Sequence, residues 1–317
     1  MTGRWLRRGL AALAAAVLGL ASAAAQSQAA AACPPLLPSA AKADSGGPAR
    51  DRGLLWRLTR DGRTSYLYGT LHIGKPGWRR FGPQLQAALR ASDVLALEVD
   101  PNDPALLAAL AELRHGAELP AALAARLKRA FERACVAPES LAELHPVLQA
   151  TTLTVLEARW LGMDPSYAME QLLGAEARAQ GRRVVSLETA AQQRAALVPD
   201  NDAEAQAVIE QSLQQLEDRS ARRVLARLAA AWESGDLVVL DDYAAWCECV
   251  ADENDRAFMR RLNDERNPLL ADGVEALHRQ GRRVFAAVGA LHMTGPQSLQ
   301  RLLAARGFRV DRVPFGR

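Results

Sequence analysis

An apolar run closing on Gly-x-Leu-His occurs twice, as Tyr66-Leu-Tyr-Gly-Thr-Leu-His72 and as Ala286-Ala-Val-Gly-Ala-Leu-His292. No other feature constrains the fold as much. Each copy carries one of only five histidines, and each is followed by a Gly/Pro turn, a helical pattern and a second apolar strand, Val94 to Val99 or Phe308 to Val313. This is an internal β-turn-α-β repeat. Parallel strands joined by crossover helices bring their carboxyl ends to one sheet edge, where open α/β folds bind ligands. The two imidazoles are thus expected to converge on one site.

The pattern between the repeats predicts an α/β fold: a mostly parallel sheet from two β-GxLH-α-β halves, with a large helical insertion between them. Leu54 to Thr59 and Ser65 to Leu71 read as strands joined at Arg60-Asp-Gly-Arg63, where Asp-Gly signals a hairpin turn. Residues 104–165 and 200–280 read as mainly helical, with a single helix spanning 203–233. Val184 to Leu187 reads as a further strand after a helix over Tyr167 to Gln180. Gln180-Gly-Arg-Arg-Val184 recurs as Gln280-Gly-Arg-Arg-Val284, each a helix C-cap glycine feeding a strand. The last strand is expected over Phe308 to Pro314.

The first 25 residues stand apart. Arg4, Arg7 and Arg8 precede an uncharged run from Leu10 to Ala25, the pattern of a secretory signal peptide, so export to a periplasmic or extracellular location is expected. The run is shorter and less apolar than the roughly 20 residues of a spanning helix, which makes an uncleaved anchor, or a lipidated Cys33, the minor alternative. Residues 26–50, rich in Ala, Pro, Ser and Gly, read as a flexible leader before an α/β domain over 51–317. Without the three signal arginines, 36 basic residues face 36 acidic ones. That balance, with no basic stripe, excludes nucleic-acid binding as a reading. Four cysteines in an exported chain favour disulfides, with Cys33 and Cys135 each expected to pair with Cys247 or Cys249, because a Cys247–Cys249 ring is very small.

His72, Glu98, Glu188 and His292 fall at or near the carboxyl ends of predicted strands, on runs otherwise nearly uncharged. Burying Glu98 within Val94-Leu-Ala-Leu-Glu-Val99 requires a cation, a donor or a metal as its partner. Two imidazoles and a carboxylate form a ligand set for a hydrolytic metal that keeps one position for water, and without a metal the same groups can activate water directly. Gly69 and Gly289 read as positions where backbone comes close to a ligand or another segment. His115, His145 and His278 read as structural or exposed.

Gly-Thr-Leu-His72, the strand-borne Glu98, Leu-Glu188-Thr, Glu-Arg266-Asn267 and the closing Gly-Ala-Leu-His292-Met-x-Gly resemble the TraB/GumN family, which is related to the Tiki proteins. The resemblance runs from about Leu54 to Val313. It implies a metal-dependent peptidase in which His72, Glu98 and His292 hold a divalent metal (Mn, Co or Zn), Glu188 helps to deprotonate its water, Arg266 steadies developing negative charge, and Gly69, Gly289 and Asn267 support the site. The wider superfamily leaves two alternatives, a metal-free esterase-like hydrolase and a non-enzymatic haem- or metal-binding protein. A peptide or small molecule is the implied substrate class, and Leu291 stands where the family often has a second glycine.

Overall fold

The computed structural model describes residues 33–38, 48–111 and 119–315. The chain divides into Met1–Cys33 and Pro34–Arg317. The expected signal peptide, most of the leader, and His115 lie outside the described residues.

Strands β1 (Leu54–Arg60) and β2 (Arg63–Thr70) form the expected hairpin, with Asp61 and Gly62 both at positive φ (52° and 69°). A two-residue turn needs positive φ at both centres when its twist is to match that of the strands, which is why Asp-Gly serves. From β2 the chain passes through α1 (Pro83–Arg90) to β3 (Val94–Leu97); the second copy runs from β5 (Val284–Gly289) through α13 (Leu299–Ala305) to β6 (Arg309–Val313). With β4 (Arg183–Ser186) the six strands form one sheet in the order β4-β3-β5-β2-β1-β6. The β4-β3, β3-β5 and β5-β2 pairs are parallel; β2-β1 and β1-β6 are antiparallel. The first crossover therefore skips one strand, β5, and the second skips two, β2 and β1. The repeat is local and is not a symmetry of the sheet.

Strands covered on both faces must be apolar throughout. Val284, Phe285, Ala286, Ala287 and Val288 of β5 are all buried, as is the whole of β3, and they form the centre of the main core. The ends of the two Gln-Gly-Arg-Arg-Val strings behave alike: Gly181 and Gly281 stand at φ 69° and 85°, and the following arginine N–H bonds back to Ala177 O and Leu277 O. Only this left-handed exit redirects helix into strand so abruptly.

The insertion contains α2 (Pro104–Ala111), α3 (Ala121–Ala134), α4 (Pro146–Leu156), α5 (Met169–Ala179), α6 (Ala190–Leu197), α7 (Asp202–Glu217), α8 (Ser220–Ser234), α9 (Leu237–Asp241), α10 (Tyr243–Trp246), α11 (Glu253–Leu262) and α12 (Asn267–Arg279). Helices α3, α4 and α7 bury a second core around Leu127, Phe131, Leu153, Ile209 and Leu213. The single helix expected over 203–233 is two helices. Arg219 takes a left-handed conformation (φ 62°), and the Asp218 carboxylate accepts from Ser220 N at 2.7 Å, restarting the helix in a new direction. Strand β5 ends at Gly289, which pairs with Thr70, because Ala290–Met293 coils into a 3-10 turn.

The cysteine expectation is corrected. Cys247 and Cys249 are joined to each other, and Cys33 and Cys135 are also oxidised. The Cα atoms of Cys247 and Cys249 lie 5.0 Å apart, within the span a disulfide bridges, so the short ring closes once α10 has ended. Among the described residues no helix is long and apolar enough to cross a membrane.

Candidate functional site

The carboxyl ends of β2, β3, β4 and β5 share one edge, and the expected residues follow them directly. Leu187 N bonds to Leu97 O (2.8 Å) and Glu188 N to Glu98 O (2.9 Å), so the β3-β4 ladder runs on and sets two buried carboxylates side by side. Like charges at neighbouring strand ends need a cation between them. Arg266, from the turn before α12, supplies it. Its Nε and Nη2 grip both Glu188 oxygens (2.9 and 2.6 Å), and Nη2 also donates to Glu98 Oε2 and to Gln193 Oε1 at 2.9 Å. Burial works against the Arg266 charge, but the two carboxylates outweigh it and raise the guanidinium pKa. Burial likewise pushes the Glu98 carboxyl up, and His292, Arg266 and His72 overcome it to hold it well below the usual carboxylate range.

Each imidazole is held through Nδ1. The Asn267 amide donates to the carbonyls of Gln297 (2.8 Å) and His292 (3.3 Å), so its oxygen is the atom facing His292 Nδ1 at 2.6 Å. Nδ1 must then carry a proton, and Nε2 stands 3.4 Å from Arg266 Nη1 and 3.7 Å from Glu98 Oε1. His72 Nδ1 lies 3.1 Å from Glu170 Oε1, a carboxylate in the first turn of α5 that also accepts from Thr70 Oγ1. Met169 N bonds to Leu71 O at 3.0 Å, which ties that helix start to the end of β2. The charge of Glu170 raises the His72 pKa to about 9, opposed by the partial desolvation of the ring where it meets the protein. Burial pushes Glu170 itself up, but His72 and Thr70 hold it below its ordinary value. Its second oxygen, Oε2, is buried without a hydrogen-bond partner.

The histidines meet at Gly289. A methyl group built there would stand 3.2 Å from Glu98 Oε1, 3.5 Å from His292 Cδ2 and 3.7 Å from His72 Nε2. The two rings thus approach within about 7 Å, and an ion shared between them, with bonds to imidazole of about 2 Å, would require them to close further. The Gly289 N–H donates to Glu98 Oε1 at 2.6 Å, which leaves that oxygen one further lone pair. Gly69 also serves close approach, though to backbone: its methyl would stand 3.2 Å from Ala290 Cα.

These donors suit a divalent cation in kind. Glu98, Glu170 and Glu188 are all buried with a single guanidinium among them, so with neutral imidazoles two negative charges are unbalanced. Protons on the imidazoles or one dication would balance them. Among the described residues no three His, Cys, Asp or Glu groups are gathered at ligating distance, so a cation would have to draw His72 inward. Its side chain is 66% exposed and has room to move.

The strand pattern placed His72, Glu98, Glu188 and His292 at this edge and the family resemblance added Arg266 and Asn267; the fold brings the six together. Glu188 lies beneath Arg266 with both oxygens engaged. Glu170, Thr70 and Gln193 were missed; Glu170 had one signal, as the acid in the first turn of a helix that begins Met169-Glu-Gln-Leu-Leu173. His278, fully buried between Ser65 Oγ and Arg60 O, and His145, whose Nδ1 caps Val147 N at 3.2 Å, are structural.

Gly289→Ala should fold, because φ −50° suits alanine, with a loss of about 1–3 kcal/mol from crowding Glu98. In NMR spectra the ring signals of both His72 and His292 should shift. Unmoved signals would mean that the two rings do not meet at Gly289.

The sequence profile of the TraB/PrgY/gumN family matches residues 54–312. No curated protein and no solved structure matches the chain.

Proposed function

The chain belongs to the TraB/PrgY/gumN family, and from that premise we propose that it is an exported hydrolase, a metal-dependent peptidase whose centre is the Gly289 cradle. The observation that carries this reading is the convergence of His72 Nε2, the His292 ring and Glu98 Oε1 around one point. His72, His292 and Glu98 would hold the divalent metal. A metal so bound would supply Lewis acidity, which lowers the pKa of a water from about 15.7 to about 7.

The chain's own residues do the rest. Glu170 and Asn267 accept from each Nδ1–H, the usual arrangement behind ligating histidines, so Nε2 of each ring would be the ligating atom once a metal had displaced any proton there. Glu188 has both oxygens on Arg266, so its part is to position the guanidinium and not to take a proton. Arg266 Nη1 donates to Leu262 O at 2.8 Å and stands 3.4 Å from His292 Nε2, where its charge can meet developing negative charge.

Elemental analysis of protein purified without chelator, beside His72→Ala and His292→Ala, tests the reading. About one divalent metal per chain, lost in both variants, is expected. Metal-free protein with full activity after chelation would overturn it in favour of a metal-free hydrolase. That second reading draws on one observation, a solvent-facing His72 whose Nδ1 rests on a buried carboxylate.

A further inference from the structure

A cavity of about 250 Å³ is lined by Leu291, Thr294 and Gly295, the residues flanking His292 and Met293 in the chain. One wall is the turn that carries the histidine, through Leu291 and Thr294; the opposite wall is α11 and the turn leading to Arg266, through Met259 and Asn263. The volume exceeds the roughly 150 Å³ of a cavity that admits benzene. Leu291, Met259 and the Tyr243 ring make much of its surface apolar. Tyr243 and Met259 also line a second space of about 180 Å³ that runs into the helical insertion.

The charged residues of the lining are mostly committed. Arg256 and Arg260 both bond to Glu253 at 2.9 Å, and Asp241 accepts from Gly295 N at 2.7 Å. Asp264, half-buried, faces His292 and Arg260: burial pushes its carboxyl up, and those cations oppose the shift. A carboxylate there repels acidic side chains.

We infer that this cavity is the specificity subsite, taking a large apolar, uncharged side chain of a peptide, with Leu291 and Met259 setting its size. The inference rests on the hydrolase reading in taking the ligand to be a peptide next to the reacting centre. Filling an apolar pocket discriminates through burial: each methylene missing from the ligand weakens binding by about 10-fold or more. The full-length mature chain should therefore prefer aromatic over small side chains, and reject acidic ones, before any bond is cleaved.

Binding of N-acetyl-phenylalaninamide, N-acetyl-alaninamide and N-acetyl-glutamate amide, read by NMR shift changes without turnover, tests this. The phenylalanine probe should bind at least about tenfold more tightly than the alanine probe, with the glutamate probe weakest. Leu291→Trp and Met259→Trp fill the cavity from opposite walls, and each should erase the preference. Two variants on different elements separate loss of the pocket from misfolding, which thermal melts report directly. No preference in the wild-type chain, or a preference that survives both folded variants, would overturn the subsite. A preference with no hydrolysis of any peptide would leave the subsite standing and remove the peptidase reading instead.

Discussion

Arg266→Met should be the most damaging single change at this edge, lowering stability by about 3–5 kcal/mol, because it leaves two buried carboxylates without their cation. The Glu98 and Glu188 side chains are only 6% and 1% exposed, so water cannot take the place of the guanidinium. The pH dependence has a definite sign. Glu98 is held below its unfolded pKa, so its contribution to the wild-type protein is present above that pKa and fades as pH falls through the folded one. In the variant the carboxylates instead take up protons, so the gap between the two proteins should narrow from pH 7 to pH 5. Urea denaturation at both values measures it. Adding Glu188→Gln should recover part of the loss, because the two changes share one interaction. A drop below about 1 kcal/mol would mean that the cluster is not buried as described.

On the metal-peptidase reading, Glu170→Gln should lower metal affinity by about 10- to 100-fold, the usual cost of removing a group that orients a ligating histidine. Its direct signature is on His72, which should titrate near its ordinary pKa in the variant and not at about 9. A raised histidine pKa stabilises the fold fully below the unfolded value of 6.5 and loses that contribution as pH rises through about 9. Wild-type stability should therefore decline relative to Glu170→Gln between pH 6.5 and 9. Solvent reaches two-thirds of the ring and screens the pair, so this decline should fall short of the bare Coulomb attraction. An NMR titration follows the ring itself. A His72 that still titrates near 9 in the variant would show that Glu170 is not its partner.

Much of this edge was legible in the chain. Buried parallel strands write themselves as continuous apolar runs, so any polar residue closing one stands out, as His72, Glu98, Glu188 and His292 do. The Asp61-Gly62 turn and the Gly181 and Gly281 caps were equally readable, because each is settled within four or five residues. Glu170 and Gln193 were not. They open or ride on helices, where a polar residue is ordinary, and only the crossover geometry carries them to the strand ends. The cysteines illustrate the same limit: ring size disfavoured Cys247 pairing with Cys249, yet the backbone leaving α10 sets their Cα atoms 5.0 Å apart.

The sequence by itself determined the α/β class, the strand ends, the family and the identity of the central histidines, since all of these rest on local periodicity and short motifs. Tertiary structure alone decided that β5 lies between β2 and β3, so that Gly289 meets both imidazoles, and that Arg266 joins Glu98 to Glu188 and does not stand free. Strand order and long-range ion pairing depend on which distant surfaces bury one another, and no short stretch of sequence contains that choice.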